Sequence, residues 1–262
     1  MKEKVLITGA SRGIGRAIAE TLVKNGYEVI GTSRFPDKLN DKLPEVKYLP
    51  LDLTDPQSID KLVKSIGDID ILINNAGVSQ IGPVEEVPME NVRRLFELNL
   101  FGVIHLTKAV LPSMRKRNKG FIINISSMAG KTSVPFSSIY AATKHGLDGF
   151  TKALRIEMKP FGIKATTLFP AYIKTTIPQE KAYKDDSAYI GALEKVRKVR
   201  EHHIANAPGP EIIAEKVLKI LKSDNPKVGY AVGGEAPLNA FLIKVLPSGL
   251  VEHFVMKKFK LK

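Results

Sequence analysis

The sequence predicts an α/β fold built on a doubly wound parallel sheet, and two patterns carry that reading. Apolar runs of four to six residues recur: "KVLIT" at 4–8, "EVIGT" at 28–32, "DILIN" at 70–74, "FIINIS" at 121–126 and "KATTLF" at 164–169. Such runs suit strands buried on both faces. Between them lie longer stretches with helical spacing, over 14–25, 59–66, 89–114 and 139–159. Strands alternating with helices form βαβ units, with helices packed on both sides of a parallel sheet. Gly26, directly after "LVKN", marks the end of the first helix as a C′ glycine would.

The 262 residues, 44% of them hydrophobic, suffice for one large core. No linker, internal repeat or low-complexity tract divides them, so one domain over 1–262 is expected. With no cysteine, disulfides, thiolate metal sites and a cysteine nucleophile are excluded, which fits a reducing compartment. No secretory leader and no uninterrupted apolar run of membrane-spanning length stands out, and a cytoplasmic protein is expected. The net charge of +13 is uneven: residues 1–150 hold 20 basic and 16 acidic residues, residues 151–262 hold 20 and 11. The basic C-terminus, "KKFKLK", reads as a solvated tail or a contact with anionic lipid. No aromatic-interleaved basic motif supports nucleic-acid binding.

"TGASRGIG", Thr8–Gly15, follows the first strand and opens the first helix. Its glycines permit a tight turn and close approach of backbone N–H groups to a pyrophosphate at the helix N-terminus. The spacing, with glycines at 9, 13 and 15, differs from G-x-G-x-x-G. It resembles the TGxxxGxG motif of the short-chain dehydrogenase/reductase family. Further motifs follow in the family's order: "NNAG" (74–77), "LNLFG" with Asn99, "ISS" ending at Ser127, "YAATK" (140–144) and "FPAYIKT" (169–175). The resemblance implies a Rossmann-like fold, a C-terminal helical substrate lid (176–209), an apolar and basic tail (236–262), and a homo-oligomer, dimer or tetramer. It also places cofactor contacts at Gly9, Ser11, Arg12, Gly13, Ile14, Gly15, Leu53, Asn75, Ala76, Gly77, Tyr140, Lys144, Pro170, Ile173 and Thr175.

The end of the second strand selects the cofactor. An acid there would bond a ribose 2′-hydroxyl, whereas arginine accommodates a 2′-phosphate. The strand ends "GTSR", putting Ser33 where NAD-binding members carry the acid and Arg34 beside it. With Arg12 as a second charged contact, NADP (NADPH) is expected. Asp52 resembles the aspartate that contacts adenine, and reads equally as a turn or cap residue. The usual Pro-Gly after the sixth strand is Pro170-Ala171 here, which removes the freedom of φ > 0 and leaves the turn's geometry open.

Tyr140 and Lys144 stand four apart on one helical face. A neighbouring cation lowers a phenol's pKa and makes tyrosine a usable acid or base. Lone pairs of this kind occur on many ordinary helices, and the resemblance is what makes this pair catalytic. The family's serine precedes the tyrosine by thirteen positions, which selects Ser127 and leaves Ser126 a structural bond. The resemblance also gives Asn99 a backbone carbonyl and a water that relays protons to Lys144. The five histidines show no metal-ligand spacing, and no metal is expected.

Between serine and tyrosine, Met128, Val134, Pro135 and Phe136 are pocket candidates, and Ile177, Pro178, Tyr183, Tyr189 and Ile190 follow in the lid. Neither stretch supplies a guanidinium, so an apolar carbonyl or alcohol is expected as substrate. Beyond residue 210 the chain is loosely similar to hydroxysteroid and retinol dehydrogenases. An NADP-dependent carbonyl reductase or alcohol dehydrogenase leads. An NADPH-sensing binding protein and an epimerase or dehydratase of the extended branch are the competing readings. The tail either closes a pocket, packs on a second subunit or lies on lipid as a peripheral membrane contact.

Overall fold

The structure, a computed structural model, describes residues 2–175 and 177–261. Thr176, which opens the expected lid, and Lys262, which ends the expected tail, lie outside the described residues. In chain order the elements are β1 (Lys4–Ile7), α1 (Gly13–Lys24), β2 (Glu28–Ser33), β3 (Val46–Pro50), α2 (Pro56–Ile66), β4 (Ile71–Asn74), β5 (Ser79–Ile81) and α3 (Met89–Phe96). There follow α4 (Gly102–Lys116), β6 (Gly120–Ile125), α5 (Ser138–Met158), β7 (Ile163–Pro170), β8 (Gln179–Lys181), α6 (Ile190–Ala205), α7 (Glu211–Leu221), β9 (Gly229–Val232), α8 (Ala236–Val245) and α9 (Ser248–Lys258).

Seven strands form one parallel sheet in the order β3-β2-β1-β4-β6-β7-β9. Alternation along each strand splits the core in two. Val5, Ile7, Ile71, Ile73 and Ile123 pack on α1 and α7 through Ile18, Leu22, Ile213 and Val217. Leu6, Leu72 and Ile122 face the other way, onto α2, α4 and α5 through Ile59, Leu62, Leu106, Val110 and Leu154. The order reverses between β1 and β4, and there an open α/β sheet presents its ligand crevice.

All five strands read from apolar runs are present. β3 and β9 are edge strands with part-exposed side chains, so they carry no continuous apolar run. A further pair, β5 and β8, adds a small parallel ribbon. Its β8 occupies the start of the segment expected as a helical lid, where the helix begins only at Ile190. After β7, Ala171 donates its N–H to Val232 at 2.8 Å. Among the described residues the non-glycine positions with positive φ are Asn118, Phe136 and Lys260, so Ala171 continues the ladder without needing glycine's freedom.

The helix expected over 89–114 is interrupted by a π-turn at Glu97–Phe101. Its extra residue turns Asn99 inward, where it is 1% exposed. By length and a mean hydropathy of 1.2, Met89–Lys116 could cross a membrane. In the fold it is a core element, burying Leu95, Val103, Leu106, Val110 and Met114. The turn is seated by Gly102, where a Cβ would stand 2.2 Å from the Leu53 carbonyl oxygen. Because that neighbour is backbone, it yields only by moving the chain. Gly102→Ala should therefore cost roughly 2–3 kcal/mol, read from the urea midpoint at unchanged slope. A variant as stable as the parent would refute this packing.

Candidate active site

One stitch holds the crevice. The buried Thr8 hydroxyl accepts from the N–H groups of Asn75 (2.9 Å) and Ala76 (3.0 Å). Asn75 Nδ2 donates back to the carbonyls of Thr8 (2.9 Å) and Gly9 (3.2 Å). The glycine turn thus leans on the loop after β4, and glycine is required for it. Gly9 and Gly13 take φ of +67° and +54°, and a Cβ on Gly15 would lie 2.3 Å from the Gly9 carbonyl oxygen. The turn leads into the N-terminus of α1, where Arg12 makes no side-chain cap bond. This cradle fits a dinucleotide diphosphate: unobstructed backbone, a helix N-terminus and no acid in the first turn of α1.

Arg12 and Arg34 are exposed, one at the start of α1 and one just past β2. Ser33, at the end of β2, accepts from the Phe35 N–H at 3.3 Å. Asp52 accepts from the backbone N–H and the hydroxyl of Thr54 at 2.9 and 2.7 Å, while Asp55 caps α2. In this structure Asp52 orders its own turn, beside the buried Leu53. Ser11, Ile14, Pro170, Ile173 and Thr175 also collect at this edge of the sheet. Gly13 lies under Thr175, to whose Cβ an added methyl would come within 3.6 Å.

Behind the crevice, Lys144 is 4% exposed and donates from Nζ to the Ile125 carbonyl at 3.1 Å. Burial lowers its pKa to about 8. Nζ lies 5.8 Å from the centre of the Tyr140 ring. The Tyr140 pKa is raised by burial, while a hydrogen bond from Ser127 and the charge of Arg200 work the other way. The phenol expected to have a depressed pKa is thus protonated at neutral pH, because desolvation outweighs its neighbours. Ser127 also accepts from the Ala129 N–H at 3.1 Å, which holds it at the end of β6. Ser126 is turned away, its hydroxyl donating to the Lys144 carbonyl at 3.1 Å.

Asn99 accepts from the Val78 N–H (3.1 Å) and donates to the Val78 carbonyl (2.9 Å) and to Thr143 Oγ1 (3.3 Å). Thr143 donates on to the Tyr140 carbonyl at 2.8 Å. Among the described residues no hydrogen bond joins Asn99 to Lys144. Gly77 stands between them, an added Cβ falling 3.1 Å from Asn99 Oδ1 and 3.6 Å from Lys144 Nζ. Sequence reasoning missed Thr8, Thr143 and Arg200. The first two sit inside motifs already recognised, whereas Arg200 lies in a helix with no motif at all.

Over this cleft Val134, Phe136, Tyr183 and Tyr189 pack with Leu193 and Val196 of α6 and Phe259 after α9. Phe136 holds φ of +59° and meets Tyr189 edge-on at 6.1 Å. Ile177 and Ile190, expected in the same lining, are exposed. The inner face of the tail therefore packs on the chain itself.

The family model described as short chain dehydrogenase matches residues 3–186. The chain belongs to the short-chain dehydrogenase/reductase family. It is 36% identical to the uncharacterized oxidoreductase YusZ of Bacillus subtilis (strain 168), covering 98% of each chain. It is 33% identical to the 3-ketodihydrosphingosine reductase of Bacteroides thetaiotaomicron, covering 87% of each. A short-chain dehydrogenase structure from Streptomyces avermitilis superposes with a TM-score of 0.84 at 34% identity, over 99% of this chain and 97% of that one. The closed form of serine dehydrogenase complexed with NADP+ gives 0.73 at 27%, over 88% and 94%. As a member of this family the protein is an oxidoreductase.

Lys144 also carries a stability consequence. Its folded pKa lies below its unfolded one, so the charged amine opposes folding. That cost is full below about pH 8 and fades as pH rises toward 10.5. Lys144→Met should raise stability near pH 7 by up to about 2 kcal/mol, after loss of one hydrogen bond, with the gain shrinking above pH 8. Thermal melts at pH 7 and pH 10 check this. A variant destabilised at both would show that the amine is a structural support instead.

Proposed function

We propose that the protein is an NADP(H)-dependent oxidoreductase that interconverts a ketone or aldehyde and its alcohol on an apolar substrate, with Tyr140 as the general acid/base. The observation that carries this is a tyrosine whose pKa burial raises, beside a buried lysine that pairs with no carboxylate among the described residues, next to a glycine turn that opens a helix. When bound, the nicotinamide supplies or accepts the hydride.

The chain's own groups do the rest. Ser127 donates to the carbonyl oxygen and holds it against Tyr140, whose proton passes to that oxygen during reduction. The phenolate left behind is stabilised by the Lys144 ammonium, worth more here than in water because the site is dry. Asn99, locked to Val78 and Thr143, fixes the backbone around both groups and would hold the water that refills the relay. In oxidation the same steps run backwards. A sensor without turnover would have no use for this arrangement.

For the cofactor, Gly9, Ser11, Gly13, Ile14 and Gly15 would hold the diphosphate. Arg12, Ser33 and Arg34 would take the 2′-phosphate, and Asp52 and Leu53 would flank the adenine. Asn75 to Gly77, with Tyr140, Lys144, Pro170, Ile173 and Thr175, would line the nicotinamide half. The absence of an acid at Ser33 supports NADP over NAD, as does the NADP-bound serine dehydrogenase. The 3-ketodihydrosphingosine in the name of the Bacteroides relative, together with the apolar cluster of Val134, Phe136 and Tyr189, supports a lipid-like, steroid or retinoid substrate. Residues 177–209 then act as the substrate lid.

The tail exposes Leu238, Phe241, Val245, Leu250 and Phe254, and Lys244 and Lys257 are exposed in the same two helices. This supports a cytoplasmic enzyme, dimeric or tetrameric, that touches an anionic membrane peripherally while the tail's inner face closes the cleft.

Tyr140→Phe should lower NADPH-dependent reduction of apolar ketones by about 10³-fold with NADPH binding retained. Arg12→Ala and Arg34→Ala should each reduce the preference for NADPH over NADH by about tenfold. Steady-state kinetics with both cofactors decide the matter, and a Tyr140→Phe enzyme as active as the parent would rule out the mechanism.

A further inference from the structure

α6 turns one face to the cleft. Leu193 and Val196 are buried on it, and Arg200 and His203 continue the stripe at steps of four and three. Arg200 donates from Nη1 to the hydroxyl of Ser137 at 3.0 Å. Ser137 is buried, immediately precedes α5 and stands three residues before Tyr140. Its hydroxyl makes no cap bond to its own helix. On the other side, Tyr172 in the loop after β7 stacks on His203, with ring centres 5.0 Å apart and planes within 4°. α6 therefore bridges the start of α5, through Arg200, and the loop after β7, through His203, and the Arg200 charge works against the burial-raised pKa of both Tyr140 and Tyr172.

A guanidinium offers five N–H donors, and a half-buried one is ordinarily paired. Here the two acids on the same helix, Glu194 and Glu201, pair with Arg197. Among the described residues no carboxylate comes within ion-pair distance of Arg200. His203 beside it has its pKa lowered by burial and by the charge of Lys258, so at neutral pH it is an uncharged neighbour. The result is a half-buried arginine without a carboxylate partner among the described residues, bonded to the residue three positions before Tyr140 and continuing the helix face that packs on Val134, Phe136 and Tyr189. A wholly neutral substrate would shield that cation from water and give it no counter-charge.

Resting on the oxidoreductase reading above, we propose that Arg200 is a specificity-determining residue that binds an anionic group, carboxylate or phosphate, carried by an otherwise apolar carbonyl or alcohol substrate. A fork of two N–H donors suits either oxyanion. It would anchor the substrate with its carbonyl toward Tyr140 and its apolar portion under the cover of α6.

The test uses matched pairs. Oxodecanoic acids, with the ketone at several distances from the carboxylate, are compared with their methyl esters in NADPH oxidation by the full-length enzyme. The parent should prefer at least one acid over its ester by about tenfold or more in kcat/KM, chiefly through KM. In Arg200→Met that preference should vanish, and in Arg200→Lys it should return in part. Ser137→Ala removes the hydrogen bond and keeps the charge, so the acid preference should persist. Loss of the preference in Ser137→Ala to the same degree would mean that Arg200 only latches the lid, and would overturn the proposal.

A second measurement needs no turnover. Decanoate and decyl phosphate are titrated into the NADPH complex, followed by cofactor fluorescence, with each arm identifying one oxyanion. Tighter binding to the parent than to Arg200→Met, by about tenfold for at least one of them, is expected. Equal affinity for both would overturn the proposal whatever the kinetics show. Tight, Arg200-dependent binding with no reduction of any carbonyl would instead count against the oxidoreductase reading alone.

Discussion

Five consecutive residues after β4, Asn75 to Ser79, tie the parts of this molecule together. Asn75 and Ala76 are pinned to Thr8, which fixes the glycine turn against the switch point of the sheet. Gly77 opens the gap between Asn99 and Lys144. Val78 gives both its backbone groups to Asn99. Ser79 starts β5, whose pairing with β8 carries the chain toward the cover. Cradle, proton-transfer groups and lid are therefore set by one short segment whose own side chains do little chemistry. A shift of that backbone would disturb all three at once.

The site built on this segment works against stability. A lysine amine is buried against a carbonyl, and among the described residues no carboxylate pairs with it. Four residues before Tyr140, Phe136 is held at positive φ, where a bulky side chain costs ~1–3 kcal/mol. The compensation is visible nearby. Phe136 accepts from the Gly82 N–H at 2.8 Å and packs on Tyr189, while Lys144 is enclosed between β6 and the Gly77 loop. Strain at these two positions, with close packing elsewhere, is what a site kept for chemistry displays.

Much of this was legible in the sequence because the relevant information is local. Strands buried on both faces leave continuous apolar runs, and a turn that must admit backbone leaves glycines, so β1, β4, β6 and the cradle could be read directly. Edge strands β3 and β9 lack that signature, since half of each faces solvent. The π-turn at Asn99 was hidden because one extra residue hardly disturbs helical periodicity while rotating everything after it. The direction of the Tyr140 shift is not legible in the sequence for a related reason. Spacing shows that a cation is near but not how much water burial removes, and here water removal dominates.

Substrate polarity shows the same limit most sharply. The segments that border the pocket in sequence, 128–136 and 177–190, hold no arginine, and on that basis an apolar carbonyl or alcohol is the expected substrate. The fold supplies the missing charge from α6, sixty residues past Tyr140, by placing Arg200 on the stripe below Leu193 and Val196. A helical stripe that begins with buried aliphatic residues would normally continue with them, because ending it in a guanidinium costs desolvation. The chain bears that cost at the one turn of α6 that reaches the start of α5, where an oxyanion could relieve it.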